Sequence, residues 1–106
     1  MEDIDIMDRT KAISERLKKE YHAEQVILFG SYARGEATKD SDVDILVIAP
    51  TSERFFERMA KVLELVRDLY DGLALSPIVL RPEELSERLR IGDQFLQEIL
   101  EEGIAL

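Results

Sequence analysis

The run Gly30-Ser31-Tyr32-Ala33-Arg34-Gly35-Glu36-Ala37-Thr38-Lys39-Asp40-Ser41-Asp42-Val43-Asp44-Ile45-Leu46-Val47 decides how this chain is read. Just before it lies an unbroken apolar segment, Val26-Ile27-Leu28-Phe29, the pattern of a short strand buried on both faces. Gly30 and Ser31 break that strand. Tyr32 to Arg34 has the length of one helical turn, which Gly35 ends. Glu36 to Ser41 is a polar loop. Asp42 to Ala49 then reads as a second strand, apolar after its two aspartates and stopped by Pro50. Ten residues separate Ser31 from Asp42, too few for a full crossover helix, so the two strands are predicted to be antiparallel.

Working outward, Asp8 to Tyr21 is predicted to be a helix, with Ile13, Leu17 and Tyr21 at helical spacing and His22 at its end. A lone histidine there reads as a surface cap rather than a general base. The first strand is placed at Glu24 to Phe29. Downstream, Ser52 is the predicted cap of a long helix reaching Tyr70. Phe55, Met59, Val62, Val66 and Leu69 form its apolar stripe, Phe56 and Leu63 widen it, and Leu65 falls outside. A stripe this wide covers a sheet; the functional alternative gives its margin, Phe56 and Leu65, to a partner protein. Asp71-Gly72 turns the chain into a third strand, Leu73 to Leu80. Pro77 lies inside it and cannot donate to a ladder, so this strand is predicted to be an edge or to be bulged. Pro82 opens a helix with Glu83 and Glu84 in its first turn. A last helix spans Asp93 to Glu102 and buries Phe95, Leu96, Ile99 and Leu100. Gly103 stops it, and Ile104 and Leu106 fold back as apolar weight. The order predicts an α/β (α+β) fold on a three-stranded mixed sheet, the third strand parallel to the second with the long helix as crossover.

With 106 residues, one domain over 1–106 is expected. There is no cysteine, which removes disulfides and thiolate metal sites and fits a reducing cytoplasm. Met1-Glu2-Asp3-Ile4-Asp5 is acidic and has neither the basic head nor the apolar run of a signal peptide, and no apolar run approaches membrane-spanning length. The net charge of −9, from 14 Lys+Arg against 23 Asp+Glu, opposes binding to nucleic acid backbones, so no direct DNA contact is expected. It is compatible with one nucleotide and its metal, with a basic protein partner, with a homo-oligomer, or simply with solubility.

Two carboxylates two residues apart on a strand leave the same face and repel each other when ionised. A cation, a proton or a basic neighbour relieves them. Mg²⁺ suits Asp42 and Asp44 because it is commonly held by one or two carboxylates together with substrate phosphates. The bland alternative is a polar strand entrance at the rim of a sheet. Asp40 extends the run to D-S-D-V-D, but Ile45 stands where a calcium loop needs glycine and Thr51 where it needs glutamate. Opposite the aspartates, Gly30 lets backbone approach a ligand closely. The amides of the following turn and the Ser31 hydroxyl can face a phosphate. Arg34 adds positive charge there, or else pairs with Glu36 or Asp42.

Phe29-Gly30-Ser31, Ala33-Arg34-Gly35 and Ser41-Asp42-Val43-Asp44 together resemble the signature of the minimal nucleotidyltransferase family, within the DNA polymerase beta-like superfamily. Its pattern is Gly-Ser, ten residues, then Asp-x-Asp. The strand Val26-Ile27-Leu28-Phe29 and the ending Ile99 to Leu106 are similar as well, so the resemblance covers nearly the whole chain. It implies a sheet of three mixed strands in order 1-2-3. It implies that Gly30 and Ser31 hold the triphosphate of ATP, beside which Arg34 would be a further nucleotide-binding residue on the reading above, and that Asp42 and Asp44 ligate Mg²⁺ as the catalytic carboxylates. The reaction implied is transfer of AMP from ATP to a hydroxyl. Small chains of this kind resemble the transferase half of HEPN/MNT toxin-antitoxin pairs, which implies a helical, HEPN-like protein as acceptor. One departure stands out. Relatives carry a third acid on the third strand, and Leu73 to Leu80 has none; Ser76 is the nearest equivalent, and Asp71 would serve only if the strand began earlier. That departure favours the alternative, a nucleotide-binding, catalytically weak interaction module of the same fold.

Overall fold

Strand β1 (Gln25–Phe29) and strand β2 (Val43–Ile48) pair antiparallel, with Leu28 opposite Ile45 and Phe29 opposite Asp44. The link between them holds only the single turn α2 (Ser31–Arg34) and a polar loop, as its length requires. Strand β3 (Leu75–Leu80) lies parallel to β2, with Asp44 opposite Ser76. The crossover between β2 and β3 is helix α3 (Phe55–Leu65) followed by a 3₁₀ turn, Arg67–Leu69. The computed structural model describes residues 3–106. Helix α1 (Asp3–Glu20) precedes the sheet; α4 (Pro82–Arg90), α5 (Gln94–Glu102) and a two-residue strand β4 (Ile104–Ala105) follow it.

The sheet is four-stranded in order β3-β2-β1-β4, which corrects the three-stranded 1-2-3 expectation. The order of the first three strands holds and leaves β3 at an edge, where Pro77 costs no ladder bond to an outer neighbour. The added strand comes from the ending. Ile104 pairs with Leu28 and Ala105 with Ile27, and the Leu106 amide donates to the Val26 carbonyl at 2.9 Å. Gly103 permits this because the chain passes so close to β1. A Cβ at that position would stand 2.5 Å from Ile27 Cγ2 and 2.5 Å from the Ile99 carbonyl oxygen.

Alternation along the strands produces two cores. Val26, Leu28, Val43, Ile45, Val47 and Val79 meet Ile13 and Leu17 of α1 and Val62 of α3, together with Val66 just beyond that helix. Ile27, Phe29, Leu46, Ile48 and Leu80 meet Leu96 and Ile99 of α5, with Leu85 and Leu89 of α4 packed alongside. Helix α4 starts with Pro82 in its first turn, and the Glu84 carboxylate accepts from the Arg81 amide at 2.8 Å.

Several helix details depart from expectation. α1 begins at Asp3 instead of Asp8, because its buried face includes Ile6 and the polar Thr10 and Ser14, which an apolar pattern does not register. α3 begins at Phe55 and ends at Leu65. Ser52 does not cap it: the Thr51 hydroxyl takes the Glu53 amide at 3.1 Å, and Glu57 takes the Arg54 amide at 3.0 Å. Phe55 and Phe56 face solvent against each other, while Leu65 packs on the core. On α5, Leu96 and Ile99 are buried as expected, but Phe95 and Leu100 stay exposed. β3 begins at Leu75, two residues later than predicted. His22 lies just beyond α1, exposed and in the left-handed region with φ 58°.

Candidate active site

At the end of β1 the backbone turns through Gly30, which has φ 78° and ψ −153°, a region closed to other residues. The Gly30 carbonyl accepts from the Ala33 and Arg34 amides, each at 3.1 Å, and this closes the turn of α2. The first amides of a helical turn have no carbonyl within the helix to meet, and at the head of α2 these are the amides of Ser31 and Tyr32. Gly35 at φ 73° ends the turn.

Asp44 is the second residue of β2 and lies beside Gly30. A Cβ on Gly30 would overlap Asp44 Oδ2 and stand 3.3 Å from Asp44 Cγ. The turn and the carboxylate are therefore in van der Waals contact, and only glycine leaves room for both. Asp44 is half-buried. Burial first, and the negative charge of Asp42 second, push its carboxyl above the usual carboxylate range, while Arg34 pulls it back down. Asp42 sits just outside β2 and is exposed. It is presented by a tight turn in which the Thr38 amide donates to Ser41 Oγ at 2.8 Å and the Ser41 amide to the Thr38 carbonyl at 3.0 Å.

Arg34 pairs with Glu36, Nε to Oε1 at 3.0 Å, on the surface. Of the alternatives open in the sequence, the structure records the Glu36 pairing. Arg34 still stands in the field of Asp44 and of Glu102, both of which add to the Glu36 hydrogen bond in favouring its charge. Ser76 is the register partner of Asp44, and parallel partners point to the same face. It therefore occupies the β3 position next to Asp44, the place the sequence reading gave to the third acid of relatives. Asp71 is exposed in the turn before β3. Among the described residues no group of three or more His, Asp or Glu side chains is arranged to hold a metal.

The pair Asp42 and Asp44 does fit a hard divalent cation that arrives with other oxygen ligands. Two carboxylates stand near one another, Asp44 is half-buried, and the charge of Asp42 penalises its ionisation, which a cation would relieve.

The sequence reading missed the wall of this site. A cleft of about 50 Å³ runs between the end of β1 and α5, lined by Phe29, Gly30, Arg34, Phe95, Glu98 and Glu102. Phe95, assigned by periodicity to the core, is 51% exposed and packs edge-on against Phe29, with ring centroids 5.9 Å apart and planes at 84°. The spacing 95, 98, 102 marks one helix face and was visible in the sequence. That this face borders Gly30 was not.

Comparisons with known proteins converge on one family. The family described as Nucleotidyltransferase domain matches residues 10–106. A Methanocaldococcus jannaschii protein named as a candidate protein adenylyltransferase is 37% identical over 106 residues, covering 94% of this chain and 99% of its own. A Thermococcus cleftensis protein named protein adenylyltransferase MntA is 50% identical over 36 residues, 34% of this chain and 36% of that one. Among solved structures, a Sulfolobus solfataricus protein described as a candidate nucleotidyltransferase aligns with a TM-score of 0.63 at 30% identity, over 80% of this chain and 75% of that chain.

Proposed function

The chain belongs to the nucleotidyltransferase domain family and is a nucleotidyltransferase, and on that premise we propose that it moves AMP from Mg²⁺-bound ATP to a hydroxyl of a partner protein. The observation that carries this reading is the contact of Gly30 with Asp44, which makes the phosphate turn and the carboxylate pair one site. The names of the relatives, protein adenylyltransferases, support a protein as acceptor.

In this reading the head of α2, with Gly30 and Ser31, receives the triphosphate through backbone amides and the hydroxyl. Arg34 reaches the phosphates by leaving Glu36. An exposed ion pair of this kind contributes little, so exchanging it costs little. Asp42 and Asp44 would hold Mg²⁺, which when bound supplies charge neutralisation at the triphosphate and at the attacking oxygen. The acceptor oxygen forms a bond to the α-phosphorus and loses its proton, and the bond from that phosphorus to pyrophosphate breaks. Because Gly30 and Ser31 hold the leaving pyrophosphate at the end of β1, in-line attack brings the acceptor from the opposite, β3 side. The acceptor is proposed to be a separately encoded, HEPN-like helical protein, the pair acting as a toxin-antitoxin system in the cytoplasm.

The absence of a three-acid cluster among the described residues favours a second reading, a nucleotide-binding module whose own chemistry is weak. Transfer of radiolabel from ATP to the co-purified partner separates the two. The site itself is tested by titrating ATP calorimetrically, with Mg²⁺, against wild type and Asp42→Asn/Asp44→Asn. Binding to wild type alone is expected; equal heats in both proteins refute the site.

A further inference from the structure

We infer that Phe95 is the platform on which the base of the bound nucleotide stacks. This rests on the nucleotide site proposed above and extends it to the residue that holds the base.

Phe95 is a large apolar side chain left 51% exposed on a helix whose next residue, Leu96, is only 1% exposed. Its ring is held edge-to-face by Phe29. In such a pair at most one face of either ring is occupied, so a face of Phe95 remains for another π system. Its position relative to the carboxylates follows from the sheet. Phe29 is the register neighbour of Asp44, and antiparallel partners share a face, so Phe95 borders the site one strand away from the aspartate. Gly30 and Arg34, which meet the phosphates in the proposed site, line the same cleft.

The acceptor is directed to the other side of Asp44, where Ser76 and the free edge of β3 lie. That leaves the α5 wall to the nucleotide. A cleft of about 50 Å³ admits the edge of a base and not the whole ring, so the base lies over Phe95 with one edge directed inward. Glu98 and Glu102 wait there. Ionised carboxylates only accept hydrogen bonds, so they suit a base edge that donates, such as the amino group of adenine. Neither forms an ion pair within α5. Phosphates are repelled from this wall and kept at Arg34 and the head of α2.

The test uses two probes with Mg²⁺: a nonhydrolysable ATP analogue, and inorganic tripolyphosphate, which has no base. Phe95→Leu keeps apolar bulk against Phe29 without a π face, and Phe95→Trp restores one. Phe95→Leu is expected to bind the analogue roughly tenfold more weakly, to bind tripolyphosphate as wild type does, and to be rescued by Phe95→Trp. If Phe95→Leu binds the analogue as tightly as wild type, the assignment is wrong, and a slowed transfer in that variant would give Phe95 to the acceptor. If both probes weaken equally, the ring is structural and the assignment again fails. The nucleotide site itself stands in these cases so long as the wild-type protein binds the analogue and Asp42→Asn/Asp44→Asn does not. No binding by wild type overturns the site and the platform together.

Discussion

At the scale of single residues, Asp44 is held in a state that costs the free protein stability. Its carboxyl is raised by burial and by Asp42, so the folded chain binds that proton more tightly than the unfolded chain does. The corresponding stability is present in full below the ordinary carboxylate range and is lost as pH rises through the raised value. At neutral pH the ionised carboxylate therefore works against folding. Asp44→Asn is expected to raise the melting temperature of the ligand-free protein at pH 7 by on the order of a few °C, and to remove any further rise on adding Mg²⁺ and ATP. Thermal melts with and without the ligands check both. A lower melting point in the variant would mean that Asp44 already has a stabilising partner. Ser76 poses the complementary question. It faces the same side as Asp44 one strand over, and serine brings no charge. A metal near the attacking hydroxyl would have no triphosphate to escort it, so it would suffer most from the lack of a third acid. Ser76→Asp is expected to raise the single-turnover rate of AMP transfer to the partner more than it raises ATP affinity. A fast wild type that the added carboxylate slows would place the third ligand elsewhere.

At the scale of elements, α3, β3 and α4 are tied by one buried charge. Arg58 is 4% exposed, although it carries a charge. It donates to the Glu84 carboxylate twice, at 2.8 and 3.2 Å, to the Glu53 carbonyl at 2.7 Å and to the Val79 carbonyl at 3.2 Å. The Arg58 hydrogen bonds, followed by the Arg81 amide, bring the Glu84 carboxyl down from the ordinary 4.5 to about 2. A depressed carboxylate stabilises above its unfolded pKa, and its contribution disappears as pH falls through the folded value. The loss should therefore fall between about 4.5 and 2. Glu84→Gln leaves Arg58 buried with a neutral partner and is expected to cost about 2–3 kcal/mol at pH 7, somewhat less than breaking a fully buried pair. Urea unfolding at pH 7 and pH 3 checks this: the gap between wild type and variant should narrow toward low pH. A gap that does not change with pH would show that the pair contributes packing and not charge.

At the scale of the whole molecule, the charge of −9 is compatible with a basic protein partner, as the proposed acceptor would be. No helix among the described residues is long and apolar enough to cross a membrane. A tagged chain purified from its native host is expected to carry a separately encoded helical protein. Recovery of only the free chain, or of a homo-oligomer, would count against a protein acceptor.

Much of this architecture was legible in the residues alone, because it depends on short-range geometry. The apolar runs of β1 and β2, the ten residues between Ser31 and Asp42, and the proline at position 77 each constrain the backbone locally. Together they determined an antiparallel pair, a parallel third strand and that strand's place at the edge. Gly30-Ser31 and Asp42-x-Asp44 likewise announced a sharp glycine turn and a carboxylate pair beside it. Other features depended on partners distant in the chain. The polar side chains of Thr10, Ser14 and Arg58 are buried because of what packs over them, while Phe55, Phe56 and Phe95 are covered only in part. No periodicity reports either. The fourth strand formed because β1 had a free edge within reach of Gly103, and the wall at Phe95 because α5 returns across the end of β1. Spacing along the chain says which residues can share a face. Only the tertiary structure decides what that face meets, since strand register and helix docking are set by contacts among residues far apart in sequence.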